Sequence, residues 1–224
     1  GNLLWRKTVG VVGAGRIGAA YAQMMVEGHK MNLVYYDPYK NDALENHVDQ
    51  YNKFLKSQGR APVSCKRAET IEELLQEADC VSIHTILDDS THHLINAERL
   101  KRMKADAIIV NTSRGPVIDE AALVAHCQNN PDFKAGLDVF EDEPDMKPGL
   151  VDLNNVVIVP HIASATSWTR QGMATLAAAN VAGILQEYPA WQRPDIMPFL
   201  EGDSPKAAPS ILNADALGIP TYTD

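Results

Sequence analysis

Short apolar runs alternate with stretches of helical period along most of the chain. "TVGVV" (8–12), "NLVYY" (32–36), "CVSI" (80–83), "AIIV" (107–110), "KAGLDV" (134–139) and "VVIV" (156–159) are strand-length and rich in β-branched residues. Between them the pattern predicts helices from about Arg16 to Glu27, over 41–57, 70–78, 96–103 and 119–128, and a long Ala- and Met-rich one with an apolar face over about 165–187. Thr70 and Glu73 have capping-box spacing. The 41–57 stretch is polar and reads as a surface excursion, while Met24 and Met25 read as helix core.

Strands that are apolar on both faces and alternate with helices indicate a parallel sheet covered on both sides. The expected fold is therefore α/β, a doubly wound Rossmann-type sheet over residues 1–164. Residues 165–224 are expected to be a crossover helix and a C-terminal segment of a second, mostly absent domain. Beyond Tyr188, prolines at 189, 194, 198, 205, 209 and 220 forbid long helices or central strands, so that tail should run extended against something else.

Composition narrows the function. The 224 residues are 45% hydrophobic and 22% charged, with a formal net charge of −9 and no basic block, which argues against nucleic acid or an anionic membrane as partner. An anionic substrate would need local cations against that field. Cys65, Cys80 and Cys127 form no CxxC pair and read as reduced thiols in an intracellular protein, with no metal site expected. No run approaches a membrane span, and the terminal "TYTD" is no peroxisomal tripeptide. The chain opens on Gly with a strand almost at once, so an N-terminal part is expected to be missing.

Gly13, Gly15 and Gly18 form GxGxxG between a strand and a helix. The first permits a tight turn, the second lets a pyrophosphate approach the backbone, and the third lets helix and sheet come close. Asp37 closes the second strand nineteen residues after Gly18. A carboxylate there accepts ribose hydroxyls and repels a 2′-phosphate, which favours NAD over NADP. The competing explanation is a structural glycine turn followed by an unrelated strand-end Asp.

Ligands of open parallel sheets bind beyond the carboxyl ends of the strands. His84, the "NTSRGP" segment (111–116), Asp138 with Glu143 in "DVFEDEP", and His161 all follow strands. Arg114, between Ser113 and Gly115, suits a carboxylate fork, unless it merely makes a surface ion pair. His161 suits a general acid oriented and held protonated by a carboxylate such as Glu143, unless it is a satisfied structural histidine. His84 rivals it by position. His29, His47, His92, His93 and His126 fall on helices or loops where solvent exposure is expected. Trp168 either lines the crevice or simply packs, and the acidic 141–145 cluster reads as a solvated loop.

"VGVVGAGRIG", "NTSRGPVIDEAALV", "GLDVFEDEP" and "VPHIASAT" resemble, in order, the motifs of the D-isomer-specific 2-hydroxyacid dehydrogenases over residues 1 to about 185. "GNLL", "YYDPY", the 40–66 excursion and "MKPGL" are similar to the plant and algal NADH-dependent hydroxypyruvate reductases within that family. The resemblance implies Arg114, Glu143 and His161 as catalytic. It implies Gly13, Gly15, Arg16, Ile17, Gly18, Asp37, His84, Thr112 and Asp138 as NAD contacts, with Asp138 on the nicotinamide carboxamide. It thereby moves His84 to the cofactor side. It also implies a small 2-oxo acid substrate (hydroxypyruvate or glyoxylate), a homodimer paired through the cofactor domain, and an organelle left open. Departures are "TILD" after His84, where the family often has x-Pro-Leu-Thr, and "HIAS" for the commoner His-x-Gly-Ser. The family's formate dehydrogenases pair their His with Gln, and phosphoglycerate dehydrogenases often carry a C-terminal regulatory domain for which the tail here leaves no room. A corepressor of the same fold that senses NADH is the non-enzyme alternative.

Overall fold

The computed structural model describes residues 3–202 and 204–223; Gly1 and Asn2 of "GNLL" and the final Asp224 of "TYTD" lie outside the described residues. Two compact units are present, residues 1–162 and 163–224.

The first unit is a seven-stranded, wholly parallel sheet of order β3-β2-β1-β4-β5-β6-β7. The strands are β1 (Thr8–Val12), β2 (Asn32–Tyr36), β3 (Cys65–Arg67), β4 (Cys80–Ile83), β5 (Ile108–Asn111), β6 (Lys134–Leu137) and β7 (Val156–Ile158). The helices are α1 (Arg16–His29), α2 (Asp42–Ser57), α3 (Ile71–Glu77), α4 (Ala97–Leu100) and α5 (Glu120–Asn129). This is the Rossmann order, reversing direction between β1 and β4. One core cluster gathers Val26, Leu33, Leu44 and Val48 under α1 and α2; the other gathers Leu74, Ile83, Ile109 and Leu123 under α3, α4 and α5. The central strands β1 and β4 are buried almost throughout, as covering on both faces requires. Toward the edge the covering thins, and Val157 of β7 is 67% exposed.

Several elements differ from expectation. The α2 segment is no mere excursion: it is amphipathic and buries Leu44, Val48 and Leu55. Met24 is 63% exposed and only Met25 turns inward, so the pair is not core. Strand β3, "CKR", was not anticipated because three residues without an apolar run carry no periodic signal. The predicted 96–103 helix shrinks to the single turn α4.

The second unit holds α6 (Ser167–Leu185) and the one-turn α7 (Met197–Leu200). Its tail does not run free of its own unit. Ala190 bridges both Ala208 and Thr221, and Trp191 packs edge-on to Phe199 and tilted against Tyr222, with its indole N–H donated to the Asp195 carbonyl at 2.8 Å. A Cβ on Gly183 would lie 2.9 Å from Ala208 Cα, so glycine lets α6 meet the tail closely. Trp168 is exposed at the start of α6. Among the described residues no helix is long and apolar enough to cross a membrane, and no group of three or more His, Cys, Asp or Glu could hold a metal.

Candidate active site

A single row of paired residues crosses six strands: Tyr36, Val12, Ile83, Asn111, Leu137 and Ile158. Parallel strands leave a sheet on one side, so whatever follows this row shares an edge. The next residues are Asp37, Gly13, His84, Thr112, Asp138 and Val159. Arg114 and His161 each lie three positions past the row. Strand register thus puts the predicted cofactor and catalytic positions along one rim.

The three glycines of the turn answer different demands. Gly13 has φ +90°, and a Cβ there would also meet the His84 carbonyl oxygen at 2.8 Å. A Cβ on Gly18 would stand 1.9 Å from the Gly13 carbonyl oxygen. Gly15 has φ −71° and no heavy atom within 4 Å of where its Cβ would be, so nothing in the protein requires a glycine. A ligand against that backbone would. Helix α1 opens at Gly15 with no side-chain cap and no acid in its first turn, whereas Asn41, Thr70, Asp119 and Thr166 cap α2, α3, α5 and α6. The positive end of α1, at Arg16 and Ile17, is left to meet an anion.

Asp37 ties the turn to the loop after β2. One carboxylate oxygen accepts the Ala14 amide at 2.8 Å and the other the Tyr39 amide at 2.8 Å. Asn41 completes the grip: its Nδ2 donates to the Ala14 carbonyl at 2.7 Å while its Oδ1 accepts the Leu44 amide and caps α2. Each Asp37 oxygen keeps a second lone pair for a hydroxyl donor. Beside it a cleft of about 600 Å³ is lined by Gly13, Gly15, Asp37, Tyr39, His84 and Thr85 among others. Thr85 Oγ1 is the one buried side-chain polar atom without a hydrogen-bond partner among the described residues. Leaving such a group unsatisfied costs about 1–3 kcal/mol, which a polar ligand atom would relieve.

The two rival histidines differ in surroundings. His84 is half-buried, with Nε2 2.9 Å from Ser82 Oγ and its ring 5.1 Å from that of Tyr21. Burial pushes its pKa down, which favours the neutral ring. His161 Nδ1 lies 2.8 Å from Glu143 Oε2. An ionised carboxylate only accepts, so Nδ1 carries the proton of that bond and Nε2 points elsewhere. The His161 hydrogen bond, helped by the Phe140 amide on Glu143 Oε1 at 3.1 Å, holds the Glu143 carboxyl below the usual range. The Glu143 carboxylate therefore keeps its charge to lower pH than an ordinary carboxyl does. His161 has φ +51°, a left-handed backbone that costs a β-carbon residue roughly 1–3 kcal/mol. Asp138, 2% exposed, accepts the Ile162 amide at 2.6 Å and so fixes the residue next to it.

Arg114 is exposed on a loop wired by Asn111, whose Nδ2 donates to the Arg114 carbonyl at 2.9 Å and whose Oδ1 accepts the Ser113 amide at 3.0 Å. A Cβ on Gly115 would sit 1.8 Å from the Phe140 carbonyl oxygen, so glycine lets this loop press on the one leading to Glu143. Among the described residues no carboxylate ion-pairs with Arg114; its Nη1 donates to the Ser113 carbonyl at 2.7 Å. Thr112 is exposed beside it.

Two expectations need correction here. The 141–145 cluster is not uniformly solvated: the Glu141 side chain is 15% exposed and bonds His93 Nε2 at 2.8 Å. His93 is accordingly half-buried, as are His47, paired with Glu27, and His126, edge-on to Phe133; of these five histidines, His29 and His92 are exposed. Asn41, Asn111 and Thr85 were not singled out from sequence. Asn41 did carry a signal, as an N-cap before "DALE", but its bond to Ala14 spans 27 residues.

Residues 1–163 match the family model described as D-isomer specific 2-hydroxyacid dehydrogenase, NAD binding domain. The chain belongs to that family. It is 61% identical over 221 residues to a glycerate dehydrogenase of Cucumis sativus, covering 97% of this chain and 58% of that protein. It is 60% identical over 223 residues to the peroxisomal glycerate dehydrogenase HPR of Arabidopsis thaliana, covering 98% and 58%. Among solved structures it resembles the NAD-complexed D-isomer specific 2-hydroxyacid dehydrogenase from Lactobacillus delbrueckii ssp. bulgaricus, with TM-score 0.67 and 27% identity over 83% of this chain and 54% of that one. The chain spans a little over half the length of these relatives. In this chain the open Gly15, the uncapped α1 and the unpartnered Thr85 hydroxyl fit NAD, the cofactor of the matched domain. Gly15→Ala should fold normally yet weaken NADH binding about tenfold or more, as a Cβ displaces the pyrophosphate; fluorescence titration alongside a melting curve measures both.

Proposed function

We propose that the full-length protein reduces hydroxypyruvate to D-glycerate, and glyoxylate to glycolate, with NADH. The observation that carries this reading is the His161–Glu143 hydrogen bond at 2.8 Å, formed at the rim where the glycine turn and Arg114 also lie. Bound NADH supplies the hydride that goes to C2 of the substrate. Arg114 binds the substrate carboxylate with its paired donors. His161 gives its Nε2 proton to the carbonyl oxygen, while Glu143 holds the ring in place through Nδ1. His84, half-buried and with its pKa pushed down by burial, suits the cofactor side better than proton donation. The protein acts as a homodimer in this reading.

Initial rates of the full-length protein with hydroxypyruvate, glyoxylate and pyruvate, each with NADH and NADPH, test the proposal. Hydroxypyruvate with NADH should give the highest kcat/KM. An NADH-binding protein that turns over none of the three acids would instead be the corepressor-like alternative. Selectivity has its own test, because Asp37 repels a 2′-phosphate placed on the ribose. Asp37→Ala should cut the preference for NADH over NADPH by about tenfold or more, roughly 1.4 kcal/mol. An unchanged ratio of kcat/KM values would remove Asp37 from that role.

A further inference from the structure

Glu120 and Asp138 are the two buried carboxylates among the described residues, and Glu120 is 3% exposed. A charge so placed has to be answered by hydrogen bonds. Glu120 opens α5 directly after its cap Asp119, yet its carboxylate reaches away from the helix. Oε2 accepts the Glu141 amide at 2.7 Å and Oε1 accepts the Lys147 amide at 2.7 Å. Those two amides stand on either side of Glu143. The bond is returned: Glu141 Oε2 accepts the Glu120 amide at 3.2 Å.

The segment between these anchors touches the core only through Met146, while Asp142, Glu143, Pro144 and Asp145 are all exposed. Its shape is set by hydrogen bonds, chiefly the Glu120 grip, the Asp145 amide on the Asp142 carbonyl at 2.9 Å and the Lys147–Asp142 ion pair at 2.6 Å. We infer that Glu120 is a positioning residue for the acid–base pair: its buried carboxylate staples both ends of the loop and so aims Glu143 at His161. This inference rests on the proposed reductase reading for its catalytic consequence. The same side chain joins the Arg114 segment, which runs directly into α5, to the Glu143 loop. Two acceptors are needed. Glutamine has one, and its amide N–H would face a backbone N–H.

The test uses the full-length protein. E120Q should lower kcat for hydroxypyruvate about tenfold, the scale expected when a reacting group is displaced by a fraction of an ångström, with NADH affinity within about twofold. Placed on E143Q, it should cost less than about twofold more, because its target is already gone. Losses that simply multiply would overturn the inference, as would an unchanged kcat in E120Q. A second readout needs no turnover: in 15N-histidine NMR spectra, E120Q should move the His161 ring signals toward their positions in E143Q, and signals identical to those of the parent protein would overturn it. If the parent protein reduces no hydroxypyruvate, the reductase reading fails while the spectra still decide the role of Glu120. Should E120Q not fold, E120D, which keeps the charge but is too short to span both amides, is compared in the same way.

Discussion

Substituting His161 by Gln lowers hydroxypyruvate reduction by the full-length protein about 10²–10⁴-fold and leaves NADH affinity within about twofold. Glutamine keeps a donor that can face Glu143 but has no proton to give at the position of Nε2. Hydride addition would then develop charge on the carbonyl oxygen with nothing to neutralise it. The imidazole is half exposed and buries no core surface, so its loss should not unfold the domain. Residue 161 has a left-handed backbone that Gln must also adopt, so a melting curve of the variant checks that the loop is kept. Stopped-flow reduction and NADH fluorescence titration separate the outcomes. Lost cofactor affinity with residual chemistry would make His161 a structural residue and end the general-acid assignment.

The rim was legible because a parallel sheet makes strand ends local in sequence. Once "VGVV", "CVSI" and "AIIV" are read as strands, Gly13, His84 and Thr112 follow within a residue or two of their ends, and the register row does the rest. The division of labour among the glycines was not legible. The spacing 13–15–18 is the same whether a glycine is demanded by a carbonyl, as at Gly18, or by nothing in the chain, as at Gly15. Long-range polar grips were hidden for a different reason. Asn41 and Glu120 both sit where helix starts favour such residues, so each has a sufficient local explanation, and the second bond that each makes crosses more than 20 residues. Helix α2 lies where the pattern placed it, and only its packing was missed, because the polar residues around Leu44, Val48 and Leu55 hide the buried face.

Arg114→Met should raise KM for hydroxypyruvate and lower kcat/KM about 10²–10³-fold, with Arg114→Lys recovering only part of the loss. Each charge-assisted hydrogen bond to a carboxylate contributes roughly 1.5–3 kcal/mol, and a guanidinium offers two in parallel where an ammonium offers a point charge. The chain carries a net charge of −9, so a small anion is repelled on approach and depends on this cation once bound. The loop itself should survive the change, because Asn111 holds it through the Ser113 amide and the Arg114 carbonyl, neither of which belongs to the guanidinium. Melting temperature should accordingly stay within a degree or two of the parent, and NADH affinity should not move. Added guanidinium ion should restore part of the rate to Arg114→Met and none to His161→Gln, since it replaces a charge and not a proton donor. An unaltered KM would place the substrate carboxylate elsewhere on the rim and leave Arg114 as an exposed cation without a ligand.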